Sequence, residues 1–212
     1  VGRAADEIMT HAHAVAADLI VMSAHVGRGR KNVLLRTTTE RVVRQAPCPV
    51  LLAACGTRDG AAIRRIVVGA DGGAESALAF ALARELQAAS GAQLHVVAVV
   101  DDRLPVSHVP GGTIIDIGDW ERIVAEDRAR AQAHLDRLTA GTEVTSELRE
   151  GDPTLALAEA ATGADLLVIG SRRWGRLSRV VLGSTAEDLT TLAPCSLLIV
   201  PRPDEDDDAE AA

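Results

Sequence analysis

One internal repeat constrains the fold of this sequence more than any other feature. The stretch "AADLIVMSAH" at 16–25 resembles "GADLLVIGSR" at 163–172, and "QAPCPVLLA" resembles "LAPCSLLIV" further along each copy. Both matches keep one spacing of 147 residues without a gap. Cys195, for example, lies 147 residues after Cys48. Because chance similarity rarely keeps register over about forty residues, we interpret the chain as a duplication.

The second copy alternates strands with helices. Apolar, β-branched runs predict strands at 63–70, 92–100, 142–148, 164–170 and 195–200. Between them, helical periodicity predicts helices at 74–90, 119–139, 152–162 and 181–192. The third of these begins with an Asp in the N-cap position and a Pro in its first turn. Strict alternation with near-continuous apolar strands predicts an α/β fold with a parallel sheet and helices on both faces.

The first copy contains only the later half of this unit. It predicts helices at 3–17 and 33–46 and strands at 18–23 and 49–54, without counterparts of the first three strands. We therefore divide the chain into a half copy, a linker, a complete copy and an acidic disordered tail, at 1–54, 55–62, 63–201 and 202–212.

Composition excludes several classes of protein. Aromatic residues make up 1% of the chain and apolar residues 47%, which indicates an aliphatic core. A net charge of −8 argues against a nucleic-acid-binding protein, and no apolar run reaches the ~18 residues of a membrane-spanning helix. The three cysteines lack paired spacing. We expect a cytoplasmic protein without a nucleic-acid or membrane partner.

A basic loop follows the strand at 164–170. The stretch "GSRRWGRLSRVVLGST" at 170–185 carries four arginines and ends in Gly-Ser-Thr at a predicted helix start. Glycines let backbone N–H groups approach phosphates, and a helix N-terminus presents unpaired N–H groups to an anion. The loop fits a phosphate cradle, and it also fits a solvated loop between a strand and a helix.

Several motifs recur in order along the second copy: "VVGAD", "EGDP" before a helix, "ADLLVIGS", "LGST" and "APCSLLIVP". Together they resemble the universal stress protein (UspA-like) family, and the chain is similar to a tandem member with an incomplete first domain. The resemblance implies a Rossmann-like, five-stranded parallel sheet in the order 3-2-1-4-5, with helices on both faces, preceded by a half copy of the same unit. Many members of the family pair through their fifth strands.

The resemblance also implies a binding site. ATP-binding members carry a loop of the form G-x2-G-x9-G-[S/T], in which Arg173 here replaces the second glycine. We expect an adenine nucleotide, ATP or AMP, with Mg²⁺ as a candidate companion ion. Its predicted contacts are Asp71, Val99, Gly170, Arg173, Gly183, Ser184 and Thr185.

Alternatives stay open for two of these residues. Asp71 also fits a simple cap of the following helix, and Arg173 either pairs with phosphate through its guanidinium or blocks it. In the first copy, Ser23, Val26 and Arg36 stand at the three glycine positions. We therefore expect no nucleotide there.

Two classes of function follow from the sequence. One is a nucleotide-binding regulatory module in stress-response signalling. The other is a nucleotide-free scaffold or the cytosolic regulatory domain of a larger protein such as a transporter. No acid–base, nucleophile or metal-ligand constellation is recognised, so an enzyme is not expected.

The half copy leads to a prediction about assembly. Its strand at 49–54 should pair with the fifth strand of the second copy, at 195–200. The strand at 18–23 would then keep an open edge, since its own first strand is absent from the chain. We expect self-association through the fifth strands and this incomplete half.

Overall fold

The computed structural model describes residues 3–24, 33–54, 62–103, 117–171 and 183–201. The helices in these ranges are α1 (Ala4–Ala14), α2 (Val33–Gln45), α3 (Ala74–Ser90), α4 (Ile117–Thr139), α5 (Pro153–Ala160) and α6 (Ser184–Leu192). The strands are β1 (Ile20–Ala24), β2 (Val50–Ala54), β3 (Arg65–Gly69), β4 (Gln93–Val100), β5 (Thr145–Glu150), β6 (Leu166–Ser171) and β7 (Ser196–Pro201).

Local sequence explains where helices α3 and α5 begin or end. The Asp152 carboxylate accepts hydrogen bonds from the backbone N–H groups of Thr154 and Leu155, and Pro153 occupies the first turn of α5. This is the predicted N-cap. Helix α3 ends at Gly91, whose φ of 70° is a left-handed conformation that glycine adopts at little cost.

All the described strands form one mixed sheet in the order β1-β2-β7-β6-β3-β4-β5. Neighbouring strands are parallel except β2 and β7, which are antiparallel. The fold is thus α/β with one seven-stranded mixed sheet, rather than the expected five-stranded parallel sheet preceded by a half copy. The physical reason is that β2 and β7 would each leave a row of backbone N–H and C=O groups at an edge, and they satisfy these groups by pairing with each other.

The β2–β7 pairing confirms the expected contact between 49–54 and 195–200, and its register is symmetric. Leu51 lies opposite Leu198, its own counterpart in the repeat. Val50 lies opposite Ile199, and Leu52 lies opposite Leu197, so each of these pairs consists of the repeat counterparts of the other pair. The two copies are therefore related across this pairing by an approximate two-fold axis.

An arginine near this axis joins the two copies through their helices. The Arg44 guanidinium donates to the carboxylates of Glu40 and Glu187, at 2.8 Å in each case. These two glutamates occupy equivalent positions in the repeat. A single side chain in α2 thus contacts one helix of each copy.

Two hydrophobic cores lie on opposite faces of the sheet. Helices α1, α2, α5 and α6 cover one face, which all the strands except β5 reach with buried side chains. Helices α3 and α4 cover the other face, where the buried side chains come from β3, β4, β6 and β7. Cys48 and Cys195 are buried, and burial raises the pKa of the Cys195 thiol to about 11. Both cysteines therefore serve as core residues.

The third strand of the second copy lies further along the chain than predicted. The sequence pattern indicated 142–148, whereas β5 spans Thr145–Glu150. Pairing with β4 sets these bounds, because His95 lies opposite Thr145 and Val100 opposite Glu150. Cross-strand pairing therefore outweighs the local pattern of apolar residues here.

Candidate functional site

A cavity of about 300 Å³ opens at the carboxyl ends of β3, β4 and β6. Strands β3 and β6 are neighbours, yet the chain leaves β3 towards β4 and returns from β5 to β6 on the other side. In open parallel α/β sheets, ligands bind outside the strand ends at such a switch point. The lining residues in the described part of the chain are Gly69, Ala70, Asp71, Ser76, Val97, Val99, Pro153, Leu157, Ile169, Gly170, Gly183, Ser184, Thr185 and Ala186.

This cavity brings together six of the seven residues predicted from the sequence. They come from three strand ends and from the start of α6, and they are Asp71, Val99, Gly170, Gly183, Ser184 and Thr185. The seventh, Arg173, lies outside the described residues. The structure thus places residues that are more than a hundred positions apart in the sequence around one volume.

Helix α6 points its N-terminus at the cavity. Its N-cap is Gly183, and among the described residues no side-chain capping bond to the first turn is found. The first N–H groups of a helix have no partner within the helix, and the dipole is positive at this end. Helix α5 also begins at the cavity, but the Asp152 carboxylate already occupies its N-terminus. The start of α6 is therefore the better place for an anion.

Gly183 has no conformational or packing requirement for glycine among the described residues. Its φ of −57° is accessible to any residue, and a Cβ built there meets no atom within 4 Å. Gly170 is different. A Cβ on Gly170 would lie 2.6 Å from the carbonyl carbon of Glu75, so glycine is required for β6 to pack against α3. A side chain could therefore be added at Gly183 without a clash among the described residues.

Asp71 shapes the loop between β3 and α3. Its Oδ1 accepts a hydrogen bond of 2.9 Å from the backbone N–H of Gly73, the N-cap residue of α3. This Asx-type contact fixes the turn and leaves the side chain exposed. The helix-capping interpretation and a role in the cavity are thus both compatible with the geometry.

Part of the cavity lining is apolar. It includes Val99 from β4, Ile169 from β6, and Leu157 and Pro153 from α5. Sequence reasoning identified Val99 and missed the other three. The sequence marked these residues only indirectly. The "EGDP" motif and the helix after it contribute to the family resemblance, but they do not indicate which side chains face a ligand.

Asp71 is the one charged residue among the described residues that line the cavity. Nearby, the ring of His134 packs within 3.9 Å of the Cβ position of Gly72. Burial lowers the pKa of His134, the positive charge of Arg137 lowers it further, and Asp71 acts in the opposite direction. His134 is therefore neutral near pH 7 and adds no positive charge beside the site.

Two kinds of feature are absent from the described ranges. No group of three or more His, Cys, Asp or Glu side chains is placed to hold a metal ion there, so the Mg²⁺ expectation stays a prediction. None of the helices described there combines the length and apolar character needed to cross a membrane.

Similar proteins identify the family. The sequence profile of the universal stress protein family matches residues 1–54 and 62–201. A universal stress protein of Thermus aquaticus is 31% identical over 139 residues, which cover 65% of this chain and 98% of that protein. The stress response protein NhaX of Bacillus subtilis is 30% identical, over 64% of this chain and 96% of its own.

Solved structures share the fold. A protein of unknown function from Pseudomonas aeruginosa superposes with a TM-score of 0.69 at 19% identity, covering 96% of this chain and 70% of that one. A universal stress protein from Archaeoglobus fulgidus gives a TM-score of 0.63 at 22% identity, with 93% and 66% covered. The chain belongs to the universal stress protein family.

Proposed function

We propose that the cavity binds an adenine nucleotide, ATP or AMP, and that the bound nucleotide regulates the protein's association with partners in stress-response signalling. One observation carries the proposal. Six residues predicted from the family's pattern line a single cavity that also has apolar side chains and meets the start of α6, whose N-cap residue is a glycine. A planar base fits the apolar side chains, and an anionic phosphate fits the start of α6.

Each part of the cavity has a distinct role in this proposal. Val99, Leu157 and Ile169 exclude water from the base. The Asp71 carboxylate accepts hydrogen bonds from the ribose hydroxyls. The N–H groups at the start of α6, with the hydroxyls of Ser184 and Thr185, bind the phosphates. These assignments need no general base or nucleophile, in keeping with a regulatory rather than a catalytic protein.

The proposed domain organisation places this site in the second copy alone. Residues 1–54 correspond to a half copy, 55–62 to a linker, 63–201 to a complete unit in the order 3-2-1-4-5, and 202–212 to an acidic tail. Support comes from the two separate spans of the family match and from the symmetric register between β2 and β7. The half copy contributes no counterpart of β3, and so it offers no equivalent of Asp71.

Gly183→Asp is the sharpest test, because it separates binding from folding. A carboxylate at the N-cap would satisfy the first N–H groups of α6 itself and place a negative charge where the phosphate is expected. We expect calorimetric titration with ATP, with and without Mg²⁺, to show affinity reduced by about tenfold or more. The unfolding free energy should stay the same or rise by about 0.3 kcal/mol. Thr191→Asp adds the same charge at an exposed position near the end of the same helix and should bind ATP normally.

A second comparison addresses Arg173. If its guanidinium pairs with phosphate, Arg173→Gly weakens ATP binding and reduces its dependence on salt. If the side chain blocks the phosphates, the same change strengthens binding. Millimolar ATP that leaves the melting temperature of the unaltered protein unchanged would refute the nucleotide proposal. The result would favour the nucleotide-free scaffold, including a regulatory domain of a larger protein.

A further inference from the structure

An acidic side chain stands in the first turn of α6, next to the place proposed for the phosphates. The backbone N–H of Glu187 donates to the carbonyl of Gly183 at 3.0 Å, so Glu187 lies one turn along the helix from the N-cap. The residue before it, Ala186, is buried and lines the cavity. Helix side chains lean towards the N-terminus, which keeps the Glu187 carboxylate within about 5–10 Å of an anion bound there.

This carboxylate opposes an anionic ligand. On its own, a negative charge at this end of a helix is favourable, because the dipole is positive there. A phosphate at the same end places a like charge at a distance close to the Debye length, about 8 Å at physiological ionic strength, so salt screens the repulsion only in part. Phosphate binding is therefore weakened unless another group offsets the charge of Glu187.

Arg44 of the half copy offsets this charge. Its guanidinium donates to Oε2 of Glu187 at 2.8 Å, and the two side chains are 26% and 38% exposed. The same guanidinium donates to Glu40, so the three side chains together carry one net negative charge, against two without Arg44. Arg44 lies on α2 and is not among the described residues that line the cavity. Its effect on a ligand would therefore be electrostatic and would not need a direct contact.

We propose that Arg44 is a positioning residue for the nucleotide phosphates, because it holds the Glu187 carboxylate towards α2 and reduces the repulsion of an anion at the start of α6. This inference rests on the proposed function, since it concerns a phosphate bound at that helix. It gives the half copy a part in binding, although its described residues do not line the cavity. The more highly charged ATP depends on Arg44 more than AMP does, and uncharged adenosine does not depend on it.

Arg44→Ala, titrated with these three ligands, tests the inference. At low ionic strength we expect calorimetry to show ATP affinity reduced about threefold to tenfold, AMP affinity reduced less, and adenosine affinity unchanged. The loss for ATP should shrink as salt is added, because salt screens the repulsion. Arg44→Lys keeps the positive charge and should retain most of the ATP affinity. Arg41→Ala removes another arginine of α2, one that pairs with Asp6 at 2.6 Å, and should bind all three ligands as the unaltered chain does.

Glu187→Gln separates the electrostatic effect from a change in folding. Combined with Arg44→Ala, it should restore ATP affinity to nearly that of the unaltered chain, since the opposing charge is gone. Equal losses of ATP affinity in Arg44→Ala and in the double variant would overturn the inference, as would a parallel loss of adenosine binding. ATP binding that Arg44→Ala leaves unchanged would overturn the inference alone. An unaltered chain that binds no ATP would refute the proposed function and the inference together.

Discussion

The two edge strands of the sheet differ in their chemistry. Strand β5, "TSELRE", carries charged side chains that pair with their neighbours: Arg149 with Glu147 at 2.6 Å, His95 with Glu147 at 3.3 Å, and Arg128 with Glu150. Strand β1, "IVMSA", carries no charge. Charged edges resist pairing with another chain, whereas a short apolar edge leaves it open.

The two edges differ in the kind of residue that each one carries. At β5 the sequence supplies a solvated boundary, and α4 packs on one face of the strand. At β1 the residues are those of an interior strand, since their counterparts in β6 are buried. Strand β1 thus combines an edge position with residues of interior type.

The largest expected effect contrasts the two faces of the half copy. Leu52→Ala should cost ~2–5 kcal/mol of unfolding free energy, because the side chain is 1% exposed and its removal leaves a cavity. Val21→Ala, at a side chain that is 60% exposed on the other face of β1, should stay within about 0.5 kcal/mol. Urea denaturation measures both. Equal losses would show that the face of Val21 is covered in solution, and the contrast between the edges would fail.

An intermediate effect tests the charged edge. The Arg149 side chain donates to Glu147 and to the backbone carbonyl of Ala156. Both partners of the ion pair are about a third exposed, so after solvent screening we expect Arg149→Ala to cost roughly 0.5–1 kcal/mol. Arg130→Ala removes an exposed pair on α4 and should change stability by less than about 0.5 kcal/mol. If the two variants lose the same unfolding free energy, the ion pairs of β5 do not stabilise this edge more than an exposed pair on α4 does.

The smallest effect is a pH dependence of the same edge. Burial alone would raise the pKa of Glu147, but hydrogen bonds from Arg149 and His95 outweigh it and hold that pKa below its usual range. The folded protein then binds this proton less tightly than the unfolded chain does. The contribution is therefore present above about pH 4.5 and is lost as the pH falls through the folded value. Glu147→Gln should flatten this part of an acid-unfolding curve, and an unchanged slope would contradict the assignment.

The sequence predicted the elements and six of the fourteen residues that line the cavity in the described part of the chain, because these depend on local or periodic signals. The N-cap at Asp152, the β2–β7 contact and the convergence of Asp71 with Gly183 all came from motifs whose strands could be ordered along the chain. The bounds of β5 were missed because pairing with β4 sets them. Leu157 was missed because nothing local marks which face of a short apolar helix meets a ligand.

The packing reason for Gly170 was also invisible in the sequence. A glycine before a basic loop indicates a phosphate contact by pattern, but only coordinates reveal the approach of the Glu75 backbone. Gly183 has the opposite character, since neither its φ nor its neighbours among the described residues require glycine. Of the two glycines in this motif, Gly183 can therefore be mutated without disturbing the fold, whereas Gly170 cannot.

The single arginine at the axis between the copies shows what joining them in one chain permits. In a dimer of identical chains, every substitution at a two-fold axis appears twice. Here the counterpart of Arg44 is Thr191, so one guanidinium serves both glutamates, without a second guanidinium close by to repel it. Covalent linkage makes this pairing independent of protein concentration and lets the two sides diverge in sequence.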